Sequence, residues 1–159
     1  MHKWITGAAA AVLSVSLAAS ANAMPTNEDA IKASKPIVGV VTAVGALRDA
    51  LGANPGRTTA EAACLEGDYG VLHAFELTAE YVQELATLYP LLKDTTDQTL
   101  LSGIYDTDYR GPKQAAHDIE AYADTRPAAC KATPFAAANP TLFSDARTNA
   151  LAALALLGL

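Results

Sequence analysis

Cys64 and Cys130 are the only cysteines in the chain, and they are the first residues whose type and number imply chemistry. An even count in an exported chain points to a disulfide, and two cysteines can pair in only one way. A bridge closing a loop of this length stabilises the folded state by on the order of 4 kcal/mol in the chain-entropy description. Against a typical folding stability of roughly 5–15 kcal/mol, such a bond is a major support. His73 and His117 are the other residues suited to coordination chemistry. Helical periodicity puts His73 beside Glu76 and Glu80, and His117 near Glu120 and Asp124, on polar faces. Ligands of a cofactor inside a helical bundle point inward, so neither histidine suits haem, and no C-x-x-C-H attachment motif is present.

The segment Asp106-x-Asp108-x-Arg110-Gly111 matches part of the calcium-loop pattern. That pattern needs oxygen ligands at positions 1, 3 and 5, glycine at 6 and a bidentate glutamate at 12. Counted from Asp106, position 5 is Arg110 and position 12 is His117, so a cation replaces one ligand and the closing carboxylate is missing. Asp106 and Asp108 therefore read as turn and cap residues bonding nearby backbone. No metal and no cofactor is expected. Serine chemistry is equally unsupported: Ser34, Ser102 and Ser144 lie in no G-x-S-x-G elbow, and no glycine loop suited to phosphate is present. No catalytic residue can be named. Glu76, Glu80 and Glu84 recur every four residues, which makes them a candidate docking stripe for a basic partner protein. Like charges at this spacing cost a few tenths of a kcal/mol in an isolated helix.

Capping signals divide the chain into the elements that carry these residues. Thr26 precedes Asp29 by three positions, a capping-box start, and Pro36 is expected to kink or restart that helix, with Ser34 as a second cap. From Ile37 to Leu51 the apolar positions run nearly all round, which suits a buried helix, although the β-branched run Ile37–Val41 also allows a short strand. Gly52 and Asn54-Pro55-Gly56 form a stop. Thr58 with Glu61 opens a short turn carrying Cys64 and ending at Gly67. A longer helix spans Asp68 to Leu92, with Val71, Phe75, Thr78, Ala79, Val82, Leu85, Ala86 and Tyr89 on its inner face. Thr95 with Gln98 caps a short helix. Pro112 suits the first turn of a helix to Thr125, burying Ala115, Ile119, Tyr122 and Ala123. Arg126-Pro127 ends it, and an irregular connector holds Cys130. Asn139-Pro140 reads as the cap and first position of a last helix burying Leu142, Phe143, Ala146, Ala150, Leu151 and Leu154. The expected fold is all-α: a compact bundle of about four main helices with short helical turns and one disulfide.

The first 23 residues state a location. Lys3 supplies a charged start, Ile5–Leu17 is small and apolar, and Ala21-Asn22-Ala23 is a small-x-small cleavage pattern. The expected organisation is a signal peptide over residues 1–23, removed on export to a periplasm or the medium, and a single helical domain over 24–159. Removal of Lys3 leaves ten basic against 17 acidic side chains. That balance, with no basic cluster, repels phosphate backbones, so nucleic acid is not an expected partner. Ile37–Leu47 and Ala150–Leu159 are apolar but shorter than the roughly 20 residues that span a bilayer, so no transmembrane segment is expected. The polar spacer before the terminal stretch is too short for a lipid-anchor signal. The leading functional expectation is a non-catalytic exported protein that binds another protein, such as an inhibitor, an immunity-type protein or an envelope accessory factor. The alternative is a soluble carrier of an apolar small molecule in the bundle interior. A hydrolase with carboxylate chemistry stands third.

Overall fold

The computed structural model describes residues 26–53, 59–92 and 110–159. Five α-helices and one 3-10 turn fill them: α1 (Asn27–Ala53), α2 (Thr59–Leu92), α3 (Arg110–Thr125), a 3-10 helix (Ala128–Ala132), the short α4 (Pro134–Ala138) and α5 (Leu142–Leu157). No strand occurs among the described residues, so Ile37–Val41 is helix. The four long helices form a ring in which α1 packs on α2 and α5, while α3 completes it against the same two. Contacts between helix ends define the directions. Gln83 of α2 donates to the Ala30 carbonyl of α1 at 3.0 Å. Gly111 and Gly67 face Thr78 and Tyr122 respectively, and Arg147 reaches Glu120 at 2.9 Å. Neighbours are therefore antiparallel, the up-and-down arrangement that short connections favour.

The first cap is as expected. Thr26 Oγ accepts from the Asp29 amide at 3.2 Å, and Asp29 Oδ2 accepts from the Thr26 amide at 2.9 Å. The hydrogen bonds from Thr26 hold the Asp29 carboxyl below its ordinary range. Pro36, however, neither ends nor restarts α1, which runs unbroken through it. An interior proline costs about 3 kcal/mol. Ala33, Ile37, Val40, Val44 and Leu47 stay in one helical register on either side of Pro36 and are buried together. At roughly 1.5–3 kcal/mol for each large side chain, their burial outweighs the proline. Ser34 accordingly caps nothing; its hydroxyl donates to the Ile31 carbonyl at 2.6 Å.

Continuity through Pro36 makes α1 27 residues long, and its most apolar 18-residue window has a mean hydropathy of 1.4, enough by length and composition to cross a membrane. Shortness therefore cannot argue against a span, as the 37–47 stretch alone suggested. Packing gives the stronger indication, because the apolar stripe of α1 is the centre of the bundle core. Val38 and Ile31, on its outer side, remain 60% and 65% exposed.

The expected stop at Gly67 is also absent, since α2 is continuous from Thr59. Gly67 serves close approach: a Cβ there would collide with the Tyr122 hydroxyl of α3. The inner face of α2 is turned slightly from the expected one. Leu65, Asp68, Leu72, Phe75, Ala79 and Val82 are buried, whereas Val71 is half-buried. The connector around Cys130 is ordered into two short helices. Thr133 caps α4 by accepting from the Ala136 amide at 3.2 Å, with Pro134 at the first position. Asn139 closes α4, bonding back to the Phe135 and Ala136 carbonyls, so it does not open α5. Thr141 precedes α5, and Gly158, at φ 71°, ends it in the left-handed conformation that glycine adopts most readily.

Several expectations fall outside the described residues: the leader, the Asn54-Pro55-Gly56 stop, Thr58, the Thr95–Gln98 cap and the Asp106 and Asp108 loop. The side chains of Glu84, Leu85, Ala86 and Tyr89 do so as well.

Two glycines one turn apart on α2 should respond oppositely to alanine. Gly70 is exposed with open space around its Cβ position. Gly70→Ala is expected to stabilise by about 0.5–1 kcal/mol. Gly67→Ala must displace an anchored Tyr122 and is expected to destabilise by about 1 kcal/mol net. Urea denaturation of both variants checks the pair; the same sign for both contradicts the assigned packing.

Candidate functional site

The densest chemistry lies at the end of the bundle where α2 begins and α3 ends. Cys64, in the second turn of α2, is bonded to Cys130 of the 3-10 helix, with Cα atoms 5.4 Å apart. The bridge holds the 128–138 segment against α2. One turn further along α2, Asp68 is only 4% exposed and is the one buried charged residue among those described. Arg126, just past α3, grips it with both ends of its guanidinium, Nε to Oδ1 at 2.8 Å and Nη2 to Oδ2 at 2.6 Å. The Tyr122 hydroxyl donates to the same Oδ1 at 3.0 Å. This fork geometry is what makes arginine suited to a desolvated carboxylate.

Aromatic packing holds the arginine from its other side. The Arg126 guanidinium lies 5.1 Å from the centre of the Phe143 ring, and Tyr122 meets Phe143 edge-on at 5.6 Å. Burial, followed by the negative charge of Asp68, pushes the Tyr122 phenol up to about 12. The group is thus a persistent hydrogen-bond donor to the carboxylate.

Cys64, Asp68 and Arg126 form one wall of a cleft of about 460 Å³. Phe135 of α4, Pro140 of the turn that follows, and Leu142 and Phe143 of α5 supply apolar surface, and Lys131 also lines the cleft. A second, shallower groove runs between Gly39, Thr42 and Ala46 of α1 and the 138–146 segment. Between α1 and α5, where the alternative carrier reading would place a cavity, Val40, Val44, Leu47, Ala146, Ala150 and Leu154 belong to one buried core cluster.

The residues singled out in the sequence are distributed differently. Cys64 and Cys130 meet as expected. Glu76 does not stand free in a stripe: its side chain is 13% exposed and accepts from His73 Nδ1–H at 2.6 Å. His73 also stacks on Tyr69 with ring centres 5.0 Å apart. Glu80 is exposed, whereas the Glu84 side chain is outside the described residues. His117 is exposed on α3. Arg110–His117, which would form the second half of a calcium loop, is helix. Among the described residues no group of three or more His, Cys, Asp or Glu side chains could hold a metal ion.

The Asp68–Arg126–Tyr122 network was missed in the sequence, where Asp68 reads as a helix start. A signal was present: Asp68 occupies the stripe formed by Leu65, Leu72, Phe75, Ala79 and Val82, a carboxylate in apolar register. No protein-family model matches the chain, and no curated protein or solved structure matches it either.

Removing Arg126 leaves the Asp68 carboxylate buried without its counter-ion. Arg126→Ala is expected to cost about 3 kcal/mol or more, and the double change Asp68→Leu with Arg126→Met clearly less. Equal losses in chemical denaturation would contradict this. The phenol gives an alkaline signature. Because its folded pKa lies above the usual value near 10, its stabilising contribution is complete below about pH 10 and is lost as pH rises through about 12. Tyr122→Phe should flatten that part of the stability–pH curve and remove a phenol that titrates near 12 from an absorbance titration.

Proposed function

We propose that the protein is exported and acts without catalysis by binding another protein, through the outward face of α2. The observation that carries this reading is the exposure of Leu77 and Tyr81, 55% and 48%, one helical turn apart and directly opposite the buried stripe. Gly70 and Ala74 continue the same exposed line. Tyrosine is enriched at the buried centre of protein interfaces, and Leu77 extends the apolar surface beside Tyr81. The α2 sequence contains no lysine or arginine, while Glu66 and Glu80 are exposed along it. The complementary surface is therefore apolar at its centre and carries lysine or arginine around it. Glu76 contributes through its fixed pairing with His73 rather than as a free charge. Export is supported by the leader pattern and by the disulfide, which persists in an oxidising compartment.

A photo-crosslinking residue at Leu77, in protein expressed with its leader, is expected to trap one basic protein of the same compartment. Binding of that purified partner should weaken at least about tenfold with Leu77→Asp or Tyr81→Ala. Glu80→Lys should slow association and reduce its salt dependence. Because these side chains are exposed, thermal melts should match the parent. Crosslinks only to a second copy, no crosslink, or unchanged affinity in the variants would each refute the reading.

A further inference from the structure

We propose that the cleft beneath the disulfide binds a small monoanionic molecule with a flat apolar body, in chemical terms an arylcarboxylate. This site is independent of the outward face of α2. Its volume, about 460 Å³, lies within the roughly 300–1,000 Å³ of small-molecule sites, which combine mostly apolar walls with a few placed polar groups. Phe135, Leu142 and Phe143 provide walls against which a flat ring can lie, and Phe143 cannot swing away because Tyr122 and Arg126 pack on it.

The charge of the lining selects the ligand. Its charged residues are Asp68, Arg126 and Lys131. Asp68 and Arg126 neutralise each other at close range. Lys131 is exposed and has no ion pair among the described residues, so the cleft presents one surplus positive charge in a chain of net charge −6. A monoanion matches that surplus; a cation opposes it. The cleft edge also includes the first turn of α5, where Thr141 makes no side-chain cap bond. That turn also carries Asp145, whose charge offsets the helix dipole, so Lys131 alone supplies the sign preference.

Both walls are fixed before a ligand arrives. The disulfide holds the 128–138 wall to α2, and the Asp68–Arg126 pair joins α2 to the end of α3. A pre-formed site avoids an ordering cost on binding.

The test is amide NMR titration of the oxidised protein with phenylacetate, 2-phenylethanol and phenethylamine, which share a ring and differ in charge. Phenylacetate is expected to give saturable shifts centred on Lys131, Ala136, Ala137 and Ser144. The alcohol should bind about two- to fivefold more weakly, the difference expected of one exposed ion pair, and the amine more weakly again. Lys131→Glu should weaken phenylacetate about tenfold and Lys131→Arg should preserve it, with melting temperatures unchanged because the side chain is exposed. No saturable shift, shifts scattered over the surface, equal affinity for the three probes, or an unaffected Lys131→Glu variant would each overturn the proposal.

Discussion

A carboxylate at position 68 faces the inside of the bundle, and much of the local architecture follows from satisfying it. Desolvating a lone aspartate costs several kcal/mol, and attraction offsets that only when a well-aligned counter-ion and further hydrogen bonds are present. Arg126 and Tyr122 supply both. Each requires a specific placement: α3 must run past α2 closely enough for Tyr122 to lie over Gly67, and the chain must leave α3 with Arg126 turned back. Phe143 then packs on the arginine, which positions the start of α5. The disulfide, one turn earlier on α2, constrains the same corner covalently. These constraints tie α2, α3, the connector and α5 together at one end of the molecule.

The rest of the core depends on small residues. Ala30, Ala33, Ala43, Ala79, Ala115, Ala116, Ala146, Ala150 and Ala153 are all buried. Alanine lets helix axes approach closely while carrying no side-chain entropy cost. It also buries little area per residue, so the larger side chains Leu47, Leu72, Phe75, Ile119 and Leu157 carry most of the apolar stabilisation. A core of this composition benefits strongly from a covalent staple. It also leaves Leu77, Tyr81, Ile31 and Val38 outside, on faces that no described helix covers.

Local signals in the sequence were reliable where a short-range hydrogen bond decides the outcome. The Thr26–Asp29 cap, the end of α3 before Arg126-Pro127 and the helical character of α2, α3 and α5 belong to this class, whereas Ile37–Val41 allowed a strand as well as a helix. Breakers were misleading where tertiary burial opposes them. Pro36 and Gly67 read as boundaries because each disfavours helix locally, yet the apolar register on either side of them outweighs that cost. Asn139 reads as the start of α5 yet ends α4, because a cap residue suits the end of one helix as well as the start of the next. Of the site, the cysteine pair was legible and the ion pair was not: its members are 58 residues apart, and no local pattern links them.

The sequence by itself determined an all-helical chain with one possible disulfide, because helix periodicity and the cysteine count are properties of neighbouring residues and composition. Only the tertiary structure decided which helices run unbroken, which acid is buried and where a cleft remains. Those outcomes depend on side chains meeting across the bundle, where burial of a few large apolar groups exceeds the local cost of a proline or a glycine.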